Sequence, residues 1–168
     1  MTDQGPIPQA EGSRRKITLE RNFRAQAQDV WNLWTTAAGI ESWWGPDGFE
    51  VKVRRLELRP GGAMEYAMTA VKADQIDFLK KAGMQLVNEN TLTYTEIVPL
   101  RRLAYNHLAD FIPGVEPYQV EMVVEFARTP NGTALRLTFD AMHDERWTQL
   151  ATMGWEDELR KLAILLEK

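Results

Sequence analysis

Trp43 and Trp44 stand side by side and are followed at once by Gly45-Pro46, inside the run GIESWWGPDGFEV from Gly39 to Val51. Proline cannot continue a helix, and glycine supplies the turn before it. A helix carrying the two tryptophans must therefore stop here. Two indole rings are costly to leave in water, so the turn must insert into a larger apolar body. Two further markers, Arg59-Pro60-Gly61-Gly62 and Gly154-Trp155, lie in the same chain.

Hydrophobic periodicity supplies the elements around these markers. Ile17, Leu19 and Phe23 alternate with polar residues between Lys16 and Phe23, which predicts a first strand with Arg21 as the odd member of its apolar face. AQDVWNLWTT predicts a helix with Val30, Leu33 and Trp34 on one side, and Ile40, Trp43 and Trp44 mark a second. The period then changes to two. Residues 49–58 and 63–70 read as a strand pair joined by Arg59-Pro60-Gly61-Gly62, where proline suits the first central position of a type II turn and glycine the second. Residues 74–82 read as a helix ended by Gly83. Strands resume at 90–98, 101–108, 119–128 and 133–140, the last two joined by Thr129-Pro130-Asn131-Gly132. A long helix closes the chain from about Asp144 to Glu167. Trp147, Ala151, Trp155, Leu159, Leu162 and Leu166 form its apolar stripe, and Glu156 with Arg160 and Asp157 with Lys161 have the spacing of i, i+4 pairs. At ~1.5 Å per residue this helix is as long as seven strands at ~4.8 Å spacing are wide.

Composition narrows the function classes. The net charge is −4, and no basic run exceeds Ser13-Arg14-Arg15-Lys16, so neither nucleic acid nor an anionic membrane is expected as partner. Cysteine is absent, which removes disulfides, thiolate nucleophiles and thiolate metal sites. His107 and His143 are the only histidines, and no cluster has zinc spacing; no metal and no cofactor are expected. Phosphate-binding glycine loops and a G-x-S-x-G elbow are also missing. Residues 1–15 are polar and rich in Pro and Gly, and read as a tail before a single domain at 16–168. The tail lacks the apolar stretch of a signal peptide, so a cytoplasmic location is expected.

The order of strand, two short helices, six strands and long C-terminal helix resembles the helix-grip fold of the START and birch-pollen-allergen superfamily, SRPBCC. Val30-Trp31, the WWGP turn, an arginine before PGG, the strand end Thr95 to Pro99 and the late Gly154-Trp155 are similar to the branch named for the activator of heat-shock protein 90 ATPase. The resemblance implies an α+β chain with a curved antiparallel sheet of about seven strands wrapped around the C-terminal helix, and a cavity between them. It also implies a small apolar or aromatic ligand, since the superfamily binds lipids, sterols and polyketides. Two alternatives stay open: a cyclase- or hydrolase-type enzyme, and a co-chaperone-like interaction module.

Strand alternation identifies the side chains expected to face the helix: Met64, Tyr66 and Met68; Leu92, Tyr94 and Glu96; Leu103, Tyr105 and His107; Val120, Met122, Val124 and Phe126; Leu135, Leu137 and Phe139. Met64, Tyr66, Met68, Tyr94, Glu96, Tyr105, His107 and Met122, with Trp147 and Trp155 from the helix, are the candidate ligand contacts. Glu96 and His107 are the candidate acid–base pair; a structural pairing of Glu96 with Arg21 is the alternative. The methionines serve either as an adaptable ligand surface or as core filler. Trp43 and Trp44 serve either as a cap on the cavity or as a plug without ligand contact. Gly154 is expected to let the helix approach the sheet or a ligand closely. The segments 72–90 and 109–118 are expected to shape the cavity mouth or a homodimer surface, with Phe111 and Ile112 held outward by Pro113-Gly114.

Overall fold

A computed structural model describes residues 14–167. Strand β1 (Lys16–Phe23) leads into helices α1 (Ala27–Thr35) and α2 (Ala37–Trp43), then β2 (Phe49–Leu56) and β3 (Ala63–Ala70). Helix α3 (Ala73–Lys81) precedes β4 (Val87–Val98), β5 (Arg102–Ala109), β6 (Tyr118–Thr129) and β7 (Gly132–Asp140), and α4 (Glu145–Leu166) ends the chain. All seven strands form one antiparallel sheet in the order β1-β7-β6-β5-β4-β3-β2. The expected tail, residues 1–15, falls outside the described residues except for its last two. Arg14 donates to the Gln119 carbonyl and lies 4.3 Å from the Tyr118 ring centre, and Arg15 pairs with Glu145 at 2.8 Å.

Local sequence chemistry accounts for the boundaries. The Asp144 side chain accepts from the Trp147 amide at 2.8 Å and so caps α4. Thr36 ends α1 and caps α2 by accepting from the Gly39 amide. Gly61 has φ +84, and the Gly62 amide donates to the Arg59 carbonyl at 2.8 Å, as a type II turn through Pro60-Gly61 requires.

The core lies between the concave sheet face and the helices. Trp34 sits at its centre, 4.7 Å from Trp43, 5.4 Å from Trp44 and 6.4 Å from Phe126 between ring centres. The WWGP turn is tied to α4 by three hydrogen bonds: Gly45 N–H to Glu158 Oε1, Lys161 Nζ to the Gly45 carbonyl, and Asp47 N–H to Asp157 Oδ2. The charges on α4 therefore pair differently from the i, i+4 expectation. Lys161 serves the turn, and Arg160 bonds Asp157 three residues back.

The expected inward face holds except at Glu96. Between Tyr94 and Glu96 the pairing of β4 with β5 shifts by one residue. A bulge sets two residues against one and reverses the alternation beyond it. Tyr94 stays buried, Thr95 and Glu96 are both exposed, and Ile97 turns back toward the core. Glu96 bonds Arg102 at 2.7 Å rather than Arg21, whose guanidinium donates to the Glu20 carbonyl.

Candidate functional site

A cavity of about 240 Å³ lies between α4 and strands β5, β6 and β7. The sheet contributes His107, Ala109, Val120, Met122 and Phe139. The helix contributes Trp147, Leu150, Ala151, Gly154, Trp155 and Glu158, and the loop residues Pro46, Phe111 and Met142 complete the wall. Four of the expected contacts, His107, Met122, Trp147 and Trp155, meet here.

The others fall elsewhere. Met64, 1 % exposed, fills the core, and Met68 lies beside the WWGP turn. Tyr94 packs edge-on against Tyr105, whose ring lies 6.5 Å from Trp44. Tyr66 stands behind the wall and reaches it through its hydroxyl, 3.4 Å from His107 Nε2. Trp43 and Trp44 do not line the cavity; they pack on Trp34 and Trp155 as a plug. Glu96, on the opposite sheet face, cannot join His107.

Gly154 has a different role from the expected close approach. A Cβ placed on it would have no heavy atom within 4 Å, although the residue sits inside a helix and in the cavity wall. The glycine preserves empty volume. Phe111 and Ile112 also depart from expectation. Ile112 is 6 % exposed, and Phe111 packs inward, its ring 6.4 Å from both His107 and Trp147. Both side chains before the Pro113-Gly114 turn thus pack inward, and Phe111 lines the cavity. Helix α3 matches its expected span but contributes nothing to the cavity wall.

Glu158 is a polar residue of the cavity wall that the sequence reading missed. It is 7 % exposed, and its Oε1 accepts the Gly45 amide at 3.1 Å. Burial pushes its carboxyl up to about 8; Asp157 adds to the rise, while the Gly45 amide and Lys161 oppose it. Burial pushes the His107 imidazole down to about 4, against the pull of Asp110. Tyr66, Tyr94 and Tyr105 are all pushed up by burial, and the Tyr105 hydroxyl is buried without a partner. Burial thus favours the uncharged form of both wall groups, the Glu158 carboxyl and the His107 imidazole. A signal for Glu158 was present: it lies three residues after Trp155 and four before Leu162, the spacing that shares a helix face.

A larger groove, about 690 Å³, runs over β1, β7, β6 and β5. Arg102 pairs there with Glu96 and Glu125, and Arg136 with Glu20, while Arg21 and Arg101 in the same wall make no ion pair among the described residues. Such exposed pairs describe a solvated face. Among the described residues no group of three or more His, Asp or Glu side chains is placed to hold a metal ion, and no helix is long and apolar enough to cross a membrane.

The seven-stranded antiparallel sheet and the long C-terminal helix packed on it define a helix-grip fold. The family described as "Activator of Hsp90 ATPase homolog 1-like protein" matches residues 24–167, and the chain belongs to it, within the SRPBCC superfamily. Solved structures agree on the fold. A Chromobacterium violaceum protein superposes with a TM-score of 0.75 at 24% identity, covering 91% of this chain and 97% of that one. An Arthrobacter aurescens protein gives 0.72 at 18% identity, with 95% and 90% covered. The AHSA1-like protein from Aeromonas hydrophila gives 0.66 at 23% identity, with 90% and 94% covered. Among curated proteins no sequence matches this chain.

Proposed function

We propose that this chain is a binding protein for small, ring-containing apolar molecules, held between α4 and strands β5, β6 and β7. The observation that carries this reading is Gly154. A glycine inside a helix costs about 1 kcal/mol relative to alanine, and here an alanine methyl would meet nothing. The helix forgoes that stability and keeps space beside Trp155, Met122 and Phe139. Membership of a superfamily with apolar ligands supports the same use.

Volume limits the ligand. A cavity of roughly 150 Å³ suffices for benzene, whereas drug-sized ligands occupy about 300–1,000 Å³. At about 240 Å³ the site suits one substituted ring or two fused rings. The enzyme alternative loses its Glu96–His107 pair, because the bulge in β4 sends Glu96 to the other face.

Native mass spectrometry of protein purified from its own host tests the reading. The expected result is one retained small molecule per chain, displaced by 2-methylnaphthalene with quenching of tryptophan fluorescence. Gly154→Leu, which fills the cavity, should remove binding while leaving the fold intact. Unchanged affinity in Gly154→Leu would place the ligand elsewhere and defeat the proposal.

A further inference from the structure

Glu158 adds a chemical requirement to the cavity, one that rests on the ligand-binding reading above. Its side chain is more than nine-tenths buried in the cavity wall. One oxygen accepts the Gly45 amide; among the described residues no donor or acceptor reaches the other. That oxygen is not among the fully enclosed unpartnered atoms, Trp34 Nε1 and Tyr105 Oη, and so keeps accessible surface on a residue of the cavity wall, where a ligand that bonds it is favoured over one that only displaces its water. The second polar group of the wall, His107, is held at Nε2 by the Tyr66 hydroxyl. The other wall side chains include Met122 and Phe139 together with the indoles of Trp147 and Trp155, whose only polar group is a ring N–H donor.

We propose that the cavity selects neutral ring compounds bearing a hydroxyl group, a phenol or naphthol class, with the hydroxyl hydrogen-bonded to the free oxygen of Glu158. A hydroxyl both donates and accepts, so it pairs with a carboxylic acid or a carboxylate. A ligand carboxylate would set a second acid against Glu158 in a medium that already disfavours charge. A plain hydrocarbon would fill the volume and leave the carboxyl oxygen unpaired, which is how a polar site rejects an analogue lacking the polar group.

The probes 2-naphthol and 2-methylnaphthalene have nearly the same shape and differ in the hydroxyl. Titration of the wild-type chain, followed by tryptophan fluorescence, should give a dissociation constant at least about tenfold lower for 2-naphthol, equivalent to about 1.4 kcal/mol. Glu158→Met should bring the two constants to within about twofold, and Glu158→Gln, whose amide also donates and accepts, should keep most of the preference. The wild-type chain supplies a readout that survives a misfolded variant: the Glu158 side-chain carboxyl ¹³C resonance should move with 2-naphthol and stay still with 2-methylnaphthalene. Equal affinities, an unmoved carboxyl resonance, or a preference that persists in Glu158→Met would overturn the assignment while leaving the cavity as a ligand site. Failure of both probes to bind would remove the ligand-binding reading and the hydroxyl requirement together.

Discussion

Helix α4 meets two kinds of surface on the same sheet. Toward its C-terminal half, Trp155 stacks on Trp34 with ring centres 5.9 Å apart, while Leu159 and Leu162 have no exposed area. Toward its N-terminal half, Ala151 and Gly154 line the cavity, and about 240 Å³ stays open. The contrast comes from side-chain size. Packing energy scales with atoms in contact, so the end packed on Trp34 anchors the helix, and the stretch with Ala151 and Gly154 can remain unfilled. Trp155 stands at the boundary, half-buried, with one face on the plug and one edge in the cavity.

The sharpest way to break this contrast is to damage the filled end. Trp34→Ala should cost about 3–5 kcal/mol, as for other buried aromatic truncations, and lower the chemical denaturation midpoint accordingly. Trp155→Ala should cost clearly less and should enlarge the cavity. Equal losses in the two variants would mean that the two ends are not energetically distinct.

Acid–base linkage separates the polar residues of the open end. The Glu158 carboxyl rises from its ordinary 4.5 to about 8, so the folded chain binds more protons than the unfolded chain in that window. Its contribution to stability is complete below 4.5 and is lost as pH rises toward about 8. His107 has the opposite sign: its contribution is present above 6.5 and is lost as pH falls through about 4. Denaturation midpoints measured across these windows should show the alkaline decline flattened in Glu158→Gln and the acid decline flattened in His107→Asn. An alkaline decline of undiminished slope in Glu158→Gln would mean that another group is responsible.

Smaller effects concern the mouth and the floor of the cavity. Phe111→Ser should leave the sedimentation mass unchanged and speed exchange of a bound naphthalene probe, because the ring covers the cavity beside His107 and Trp147. A change in mass with unchanged exchange would restore the interface reading of that loop. Gly154→Ala should raise stability by roughly 1 kcal/mol through helix propensity, read as a higher melting temperature. A lower one would show that the space beside Gly154 is not free.

Much of this architecture was legible along the chain. Every helix and strand falls within a few residues of its expected span, because periods of two and 3.6 report which side of an element meets the core. The WWGP stop, the type II turn at Pro60-Gly61 and the Asp144 cap are local chemistry and needed no partner to be read. Glu96 shows where that logic fails. Alternation assumes an unbroken register, and no residue in the strand announces the bulge after Tyr94.

The sequence by itself determined the element order, the single apolar stripe of α4 and the inward face of β3, β5, β6 and β7, since these follow from spacing within one segment. Only the tertiary structure decided what occupies the space between them. Whether a glycine permits close approach or preserves a gap depends on the side chains around it, and here none comes within 4 Å of a Cβ placed on Gly154. Whether a glutamate on a helix is solvated or buried depends on which chain covers it, and the WWGP turn, distant in sequence from Glu158, brings the Gly45 amide to its carboxyl. Cavity and buried acid are both properties of surfaces meeting, and no single segment encodes a meeting.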